Sequence, residues 1–171
     1  TPLVIEAGHS EAVGNLQVSS NAPPAKPADW DAVTAVASGR IDGRFVAMAV
    51  NTLGRPAQNA EKPKLLVRLD PVEGSSREVV IASGGTARAK LSIVRNGFDG
   101  VVTFPVDNLP HGGIGENRGR IGITFRAEVN EREISLDCAR GVADRERPFH
   151  PVENQAARQT SPSLMLKVRP G

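Results

Sequence analysis

"SIVRNGFDGVVTFPVDNLPHG", residues 92–112, decides the fold class of this chain. Apolar side chains alternate in the run that ends at Arg95 and again in the run that starts at Val101. Between them stands Asn96-Gly97-Phe98-Asp99-Gly100. A period of two marks a half-buried strand. Gly97 and Gly100 give the backbone the freedom a tight turn needs, and Asn96 and Asp99 can cap it with side-chain hydrogen bonds. Phe98 is placed to fold back as an apolar plug over the end of a sandwich. Leu109-Pro110 closes the second run, because proline cannot continue a central ladder. The passage sets strand register and carries no catalytic group.

The same pattern continues on both sides. "KLLVRLDP", "REVVIASGG", "TARAKLSIVRNG", "RIGITFRAEVNE", "REISLDCA" and "PSLMLKVRP" recur at roughly ten-residue spacing, separated by Gly, Asn or Pro. In "ARAKLSIVR" the residues Ala87, Ala89, Leu91 and Ile93 share one face, and Arg88, Lys90 and Ser92 the other. About seven such strands in about a hundred residues predict an antiparallel β-sandwich. The expected core is Leu66, Val80, Leu91, Ile93, Val102, Phe104, Ile123, Phe125, Ile134, Leu136, Leu164 and Leu166.

Residues 1–50 read differently. LVIEA (3–7) and AVGNLQV (12–18) predict short strands, and the proline-rich stretch 19–31 a loop. Ile41-Asp42-Gly43-Arg44 between two apolar runs is a hairpin signal, although Ala32–Ala37 has a helical composition. Residues 51–63, polar and proline-containing, read as a linker. Shifted by 120 residues, "VIEAGHSEAVGNLQVSSNA" lies over "TFRAEVNEREISLDCARGV", with Glu11 on Glu131 and Leu16 on Leu136. This faint repeat makes 1–50 the trailing half of a unit that 64–171 contains whole. The fold class expected is therefore all-β: an Ig-like antiparallel β-sandwich preceded by a partial second β-sandwich unit.

"VVIASGGTARAKLSIVRNGFDGVVTFPVDNLPHG" resembles the opening half of the Ig-like repeats of large secreted or envelope-associated bacterial proteins. The motifs that carry the likeness are Gly85-Thr86, Arg95, Gly97-Phe98-Asp99-Gly100 and Leu109-Pro110-His111-Gly112. "NEREISLDCA" resembles the polar turn and strand that follow in that family. The resemblance implies spacers, adhesive modules or supports beside enzymatic domains. "HGGIGENRGRIG", with glycines at 112, 113, 115 and 119, departs from the family's more apolar strand at that point.

The composition narrows the chemistry. Of 171 residues, 39% are hydrophobic and only 4% aromatic, with no Tyr and a single Trp30, which is poor material for stacking on bases or sugars. The net charge is +2, and the arginines of 118–147 alternate with carboxylates, so a nucleic-acid partner is not expected. No apolar run reaches the ~20 residues of a membrane span. The chain begins Thr-Pro-Leu without Met, as an excised or processed piece would. Cys138, the one cysteine, reads as a small buried hydrophobe on a strand.

No catalytic or metal constellation stands out. His9, His111 and His150 fall in separate segments read as loops, without the clustered ligands that zinc requires. His111-Gly112-Gly113 has no G-x-S-x-G elbow to serve, and "GGIGENRG" fits neither phosphate-loop pattern, reading instead as a hairpin tip or edge bulge. Asp29 and Asp31 flank Trp30 but cannot fill a calcium shell alone. Glu131 and Glu133 share a strand face with nothing to separate their acidities. The sequence therefore predicts a non-catalytic structural or protein-interaction module without cofactor, and the resemblance implies that it belongs to a larger exported or envelope-associated bacterial protein or assembly, in the extracellular space, periplasm or cell envelope. Its expected partners are neighbouring Ig-like repeats or subunits. The alternative is a carbohydrate or surface-polymer binding module that uses Trp30, His111 and His150.

Overall fold

A computed structural model of the chain describes residues 3–14, 23, 26–50, 63–72, 77–110, 112–115, 122–153 and 159–171, apart from the side chains of Trp30 and Ile114. The chain forms two compact units, Val18–Lys62 and the combination of Thr1–Gln17 with Pro63–Gly171. The N-terminal stretch thus groups with the sandwich, and the block read as 1–50 is apportioned between the two units.

In Val18–Lys62 a short helix α1 (Pro27–Asp31) precedes strands β1 (Ala35–Ile41) and β2 (Arg44–Val50). Proline suits a first helical position, and the Asp29 carboxylate accepts the Lys26 N–H at 2.7 Å, which closes a turn inside the expected loop. β1 and β2 pair antiparallel without a break from Ala35↔Val50 to Ile41↔Arg44. Asp42 (φ 49°) and Gly43 (φ 77°) form the type I′ turn that the Asp-Gly pair signals. Ala35–Ala37, helical by composition, is strand instead, because cross-strand pairing overrides the weak preference of three residues.

The larger unit is the sandwich. Its strands are β3 (Leu65–Pro71), β4 (Glu78–Ala82), β5 (Thr86–Arg95), β6 (Val102–Phe104), β7 (Val106–Asp107), β8 (Gly113–Gly115), β9 (Ile123–Phe125), β10 (Glu131–Cys138), β11 (Arg145–Pro151) and β12 (Leu164–Arg169). One sheet has the order β3-β5-β10-β8 and the other β4-β12-β11-β7, while β6 pairs with β9. These orders reproduce the A-B-E-D and C-F-G sheets of an immunoglobulin-like fold. β4, a second segment of the first strand, joins the G position and is parallel to β12, whereas the other ladders are antiparallel.

The core fills the space between the sheets. Leu65, Leu69, Leu91, Val102, Phe104, Phe125, Phe149 and Val168 are sealed from solvent or nearly so, and the Phe104 and Phe125 rings meet edge to face at 5.5 Å and 81°. Ten of the twelve expected core positions are buried; Leu66 and Val80 are not. On β3 the inward set is Leu65, Val67 and Leu69; on β4 it is Val79 and Ile81. A step of one residue moves a strand's side chains to the opposite face. Leu66 shares its face with Arg68 and Asp70, and Val80 shares its face with Glu78. Those charges hold both hydrophobes outward.

Other local expectations are corrected as well. Leu3–Ala7 carries no regular structure: the chain turns at Gly8, with the His9 N–H donating to the Glu6 carbonyl at 3.0 Å. The Glu6 side chain is engaged by Arg145 at 2.7 Å and Arg147 at 3.4 Å, and these ion pairs anchor the segment in place of a ladder. Gly113-Ile114-Gly115, within the stretch that reads as a hairpin tip or edge bulge, forms strand β8 against β10, and "RERPFHP", whose His150 reads as a loop residue, is the full strand β11. Residues 15–18 of the second expected N-terminal strand and the linker 51–62 lie outside the described residues.

Candidate functional surfaces

The turn at the heart of the fold is organised by Arg95. Gly97 has φ 86°, a conformation that costs other residues strain, and the Phe98 ring lies over Gly100, where a Cβ would stand 3.0 Å from it. Phe98 packs against the core, as its position in the turn predicts. Arg95 fastens the assembly: Nη1 donates to the carbonyls of Phe98 (3.1 Å) and Gly100 (2.7 Å), Nη2 to that of Arg126 (2.8 Å), and Nε to Asn130 Oδ1 (2.9 Å). Asn96 Nδ2 reaches the carbonyl of Pro63 at 2.9 Å, holding the start of β3 rather than capping its own turn.

The most concentrated polar chemistry surrounds His150. It stands on β11 opposite Asp107 of β7, not in a loop, and is only 2% exposed. Glu153, three residues on, and Ser161 are also buried, and the Val152↔Thr160 bridge and the Glu153 N–H to Gln159 carbonyl bond of 2.8 Å join their two segments. Ser163 Oγ lies 3.5 Å from His150 Nδ1. Burial pushes the imidazole below its ordinary pKa, and the Asp107 carboxylate opposes that shift. A contact of 3.5 Å is at the outer limit of a hydrogen bond, and Ser163 precedes a strand rather than opening a helix. The pair ties the start of β12 to β11.

Next to this tie, Arg147 Nη2 donates to Asn108 Oδ1 at 2.8 Å, and Asn108 Nδ2 donates to the Pro148 carbonyl at 2.5 Å. Asn108 has φ 64°, a left-handed conformation that asparagine tolerates. By register Arg145 and Arg147 stand opposite Val168 and Leu166, on the core face of β11, and Glu6 meets them there. An arginine pair within an apolar alternation was the available sign that a carboxylate from elsewhere must answer it.

Ion pairs cross the outer faces of both sheets. Across β5 and β10, Arg88 meets Glu133 at 2.9 Å, Lys90 meets Glu131 at 2.7 Å, and Thr86 Oγ1 donates to Asp137 at 2.7 Å. On the other sheet Lys167 meets Glu78 at 2.7 Å, and Arg169 meets Asp144 at 2.6 Å and Glu146 at 2.5 Å. A recess of about 360 Å³ is lined by Arg77, Glu78, Glu146, Ser163, Met165 and Lys167. Its cations are already engaged, since Arg77 also donates to the Ser163 carbonyl at 3.1 Å.

Of the three side chains singled out for ligand binding, His150 is buried and presents no imidazole to a polymer at the surface. Trp30 belongs to α1, but its side chain lies outside the described residues, as does His111. Among the described residues no cluster of three or more His, Cys, Asp or Glu is arranged to hold a metal ion, and no helix is long and apolar enough to cross a membrane. Cys138 is a buried free thiol on β10. Strand β10 places Glu131 and Glu133 on one face, where each is matched to a cation.

Fold and surfaces together define an all-β chain built on an immunoglobulin-like sandwich. Neither a protein-family model nor a curated protein matches it.

Proposed function

We propose that the chain is a non-catalytic structural or protein-interaction module of a larger exported or envelope-associated bacterial protein or assembly. The observation that carries this reading is the β1–β2 hairpin. Apart from Ala35 its residues are exposed, including Val36, Ile41, Phe45 and Met48. A two-stranded hairpin is marginal on its own, and an exposed apolar surface of this kind marks a contact site. On the outer faces of the two sheets cations and carboxylates pair with one another, and His150 and its neighbour Glu153 are buried, which favours a scaffold over a catalyst. The likeness of residues 79–112 to bacterial Ig-like repeats supports the exported setting.

The test is a photo-crosslinker at Phe45 in the full-length gene product, with cell fractionation. The product is expected in the extracellular or envelope fraction, crosslinked through the hairpin. A product confined to the cytosol, or one that yields no crosslink, overturns the reading.

A further inference from the structure

Arg145 and Arg147 stand where the alternation of β11 calls for apolar side chains, and the sandwich itself fixes both guanidinium groups. Arg147 Nη2 donates to Asn108 Oδ1 at 2.8 Å, and Arg145 Nε donates to the Ala143 carbonyl at 3.3 Å. Asn108 is held in turn by the Pro148 carbonyl. Each arginine then aims its Nη1 at one point, Glu6 Oε1, at 2.7 Å from Arg145 and 3.4 Å from Arg147. The Arg147 side chain is 11% exposed and that of Glu6 16%. A cation shielded to this degree requires an anion, because an uncompensated buried charge is strongly unfavourable.

The loop that supplies the anion is shaped by its own contacts. The His9 N–H closes the turn on the Glu6 carbonyl at 3.0 Å. Leu3 lies against Gly14, where a Cβ would stand 2.6 Å from Leu3 Cδ1, so the two ends of the loop meet. Among the described residues of 3–14, Glu6 and Ala12 alone are not exposed, and none belongs to a strand. Leu3, Val4, Ile5 and Val13 are open to solvent. The loop thus meets the sandwich as a ligand would, with a shielded carboxylate on two arginines, rather than as a strand in a ladder.

We propose that Arg145 and Arg147 form a receptor for a carboxylate carried on a peptide segment. The loop 3–14 fills it in cis, and a segment of another protein chain that presents a glutamate in the same way displaces the loop. The ligand class is read from the occupant: a carboxylate on a chain that turns as Glu6-Ala7-Gly8-His9 does. This contact goes beyond the interaction surface assigned to the β1–β2 hairpin and involves none of its residues.

The probe is a fluorescently labelled peptide of residues 3–14 with both ends blocked, titrated with the 171-residue chain. The chain carrying Glu6→Ala, with its receptor vacated, should bind the peptide with a Kd of about 100 µM. In the parent chain the attached loop competes at an effective concentration on the order of 1 mM, so binding should be about tenfold weaker. The peptide carrying Glu6→Gln keeps Glu11 and the rest of the loop, yet should bind about tenfold or more weakly than the original peptide. Arg145→Gln with Arg147→Gln, added to the Glu6→Ala chain, should abolish binding, with cooperative urea unfolding as the folding control. Acetate should displace the peptide only in large excess.

No binding to the Glu6→Ala chain overturns the proposal. So does equal binding to the Glu6→Ala and parent chains, or equal binding of the two peptides. Acetate that displaces the peptide at equal concentration overturns the peptide as ligand in favour of a free carboxylate. Crosslinking through Phe45 reads the hairpin alone, so the proposal and the interaction-module reading fail separately.

Discussion

The Nη1 atom of Arg95 stands 2.7 Å from the carbonyl oxygen of Gly100, five residues along the chain, and so closes the turn that its own strand opens. The same guanidinium binds the carbonyls of Phe98 and Arg126 and the side chain of Asn130. Charged donors to carbonyl oxygens are among the stronger protein hydrogen bonds. Arg95→Ala is therefore expected to cost about 2–3 kcal/mol. Arg95→Lys should recover only part of that loss, because one ammonium cannot replace a planar fork. Urea unfolding of the two variants checks this, and equal stability of Lys and Arg at this position would contradict the clamp.

Adjacent leucines on β3 give a direct check of register. Leu65 is 0% exposed and Leu66 41%. Leu65→Ala should destabilise by about 2–5 kcal/mol, and Leu66→Ala by less than about 1 kcal/mol. Equal losses in chemical denaturation would mean that the strand is placed one residue out.

Glu6 holds the N-terminal segment through Arg145 and Arg147. Glu6→Gln keeps the shape and removes the charge. Hydrogen exchange in residues 3–14 should accelerate while that of β5 and β10 is unchanged. High salt should weaken this hold only modestly, because the groups are largely shielded from water. Unaltered exchange in 3–14 would show that something else secures the segment.

His150 gives stability a dependence on pH. Its pKa is lowered in the folded state, chiefly by burial, from an ordinary value near 6.5. Between the folded and unfolded values the unfolded chain binds more protons, so stability rises with pH across that window. The contribution is fully present above the unfolded value and is lost as pH falls from about 7 through about 6.5 toward the folded value. Urea midpoints measured from pH 8 to pH 5 should fall less steeply in His150→Asn than in the parent chain. Parallel profiles would show that the imidazole is not desolvated.

Much of the sandwich was legible because alternation is a strong signal where one face is wholly apolar. β5 shows it plainly: Ala89, Leu91 and Ile93 are buried while Lys90 is exposed. Where two hydrophobes are adjacent, as at Leu65-Leu66, alternation alone does not choose a face, and the charges at Arg68 and Asp70 had to be given that weight. β11 was missed because Pro148 and Pro151 read as breakers; Pro148 needs no amide hydrogen at its place in the ladder, and Pro151 ends the strand. The surroundings of His150 were hidden for a different reason. Asp107 and Ser163 are far from it in sequence, and only the strand pairing brings them together.

The parallel pairing of β4 with β12 bears on how the sandwich responds to force. Five residues from Glu78 to Ala82 lie alongside Met165 to Arg169, both strands running the same way. Tension applied upstream of β4 and downstream of Gly171 pulls the two strands past each other along their length. The ladder is then loaded in shear, with its hydrogen bonds sharing the strain, rather than unzipped one at a time. A module strung into a longer chain would act as a stiff link that yields abruptly. Stretching single molecules between residues 64 and 171 should show a distinct force peak that Ser83→Pro, which removes the N–H that donates to the Arg169 carbonyl at 2.9 Å at the end of that ladder, lowers. An unchanged peak would place the mechanical clamp elsewhere in the sandwich.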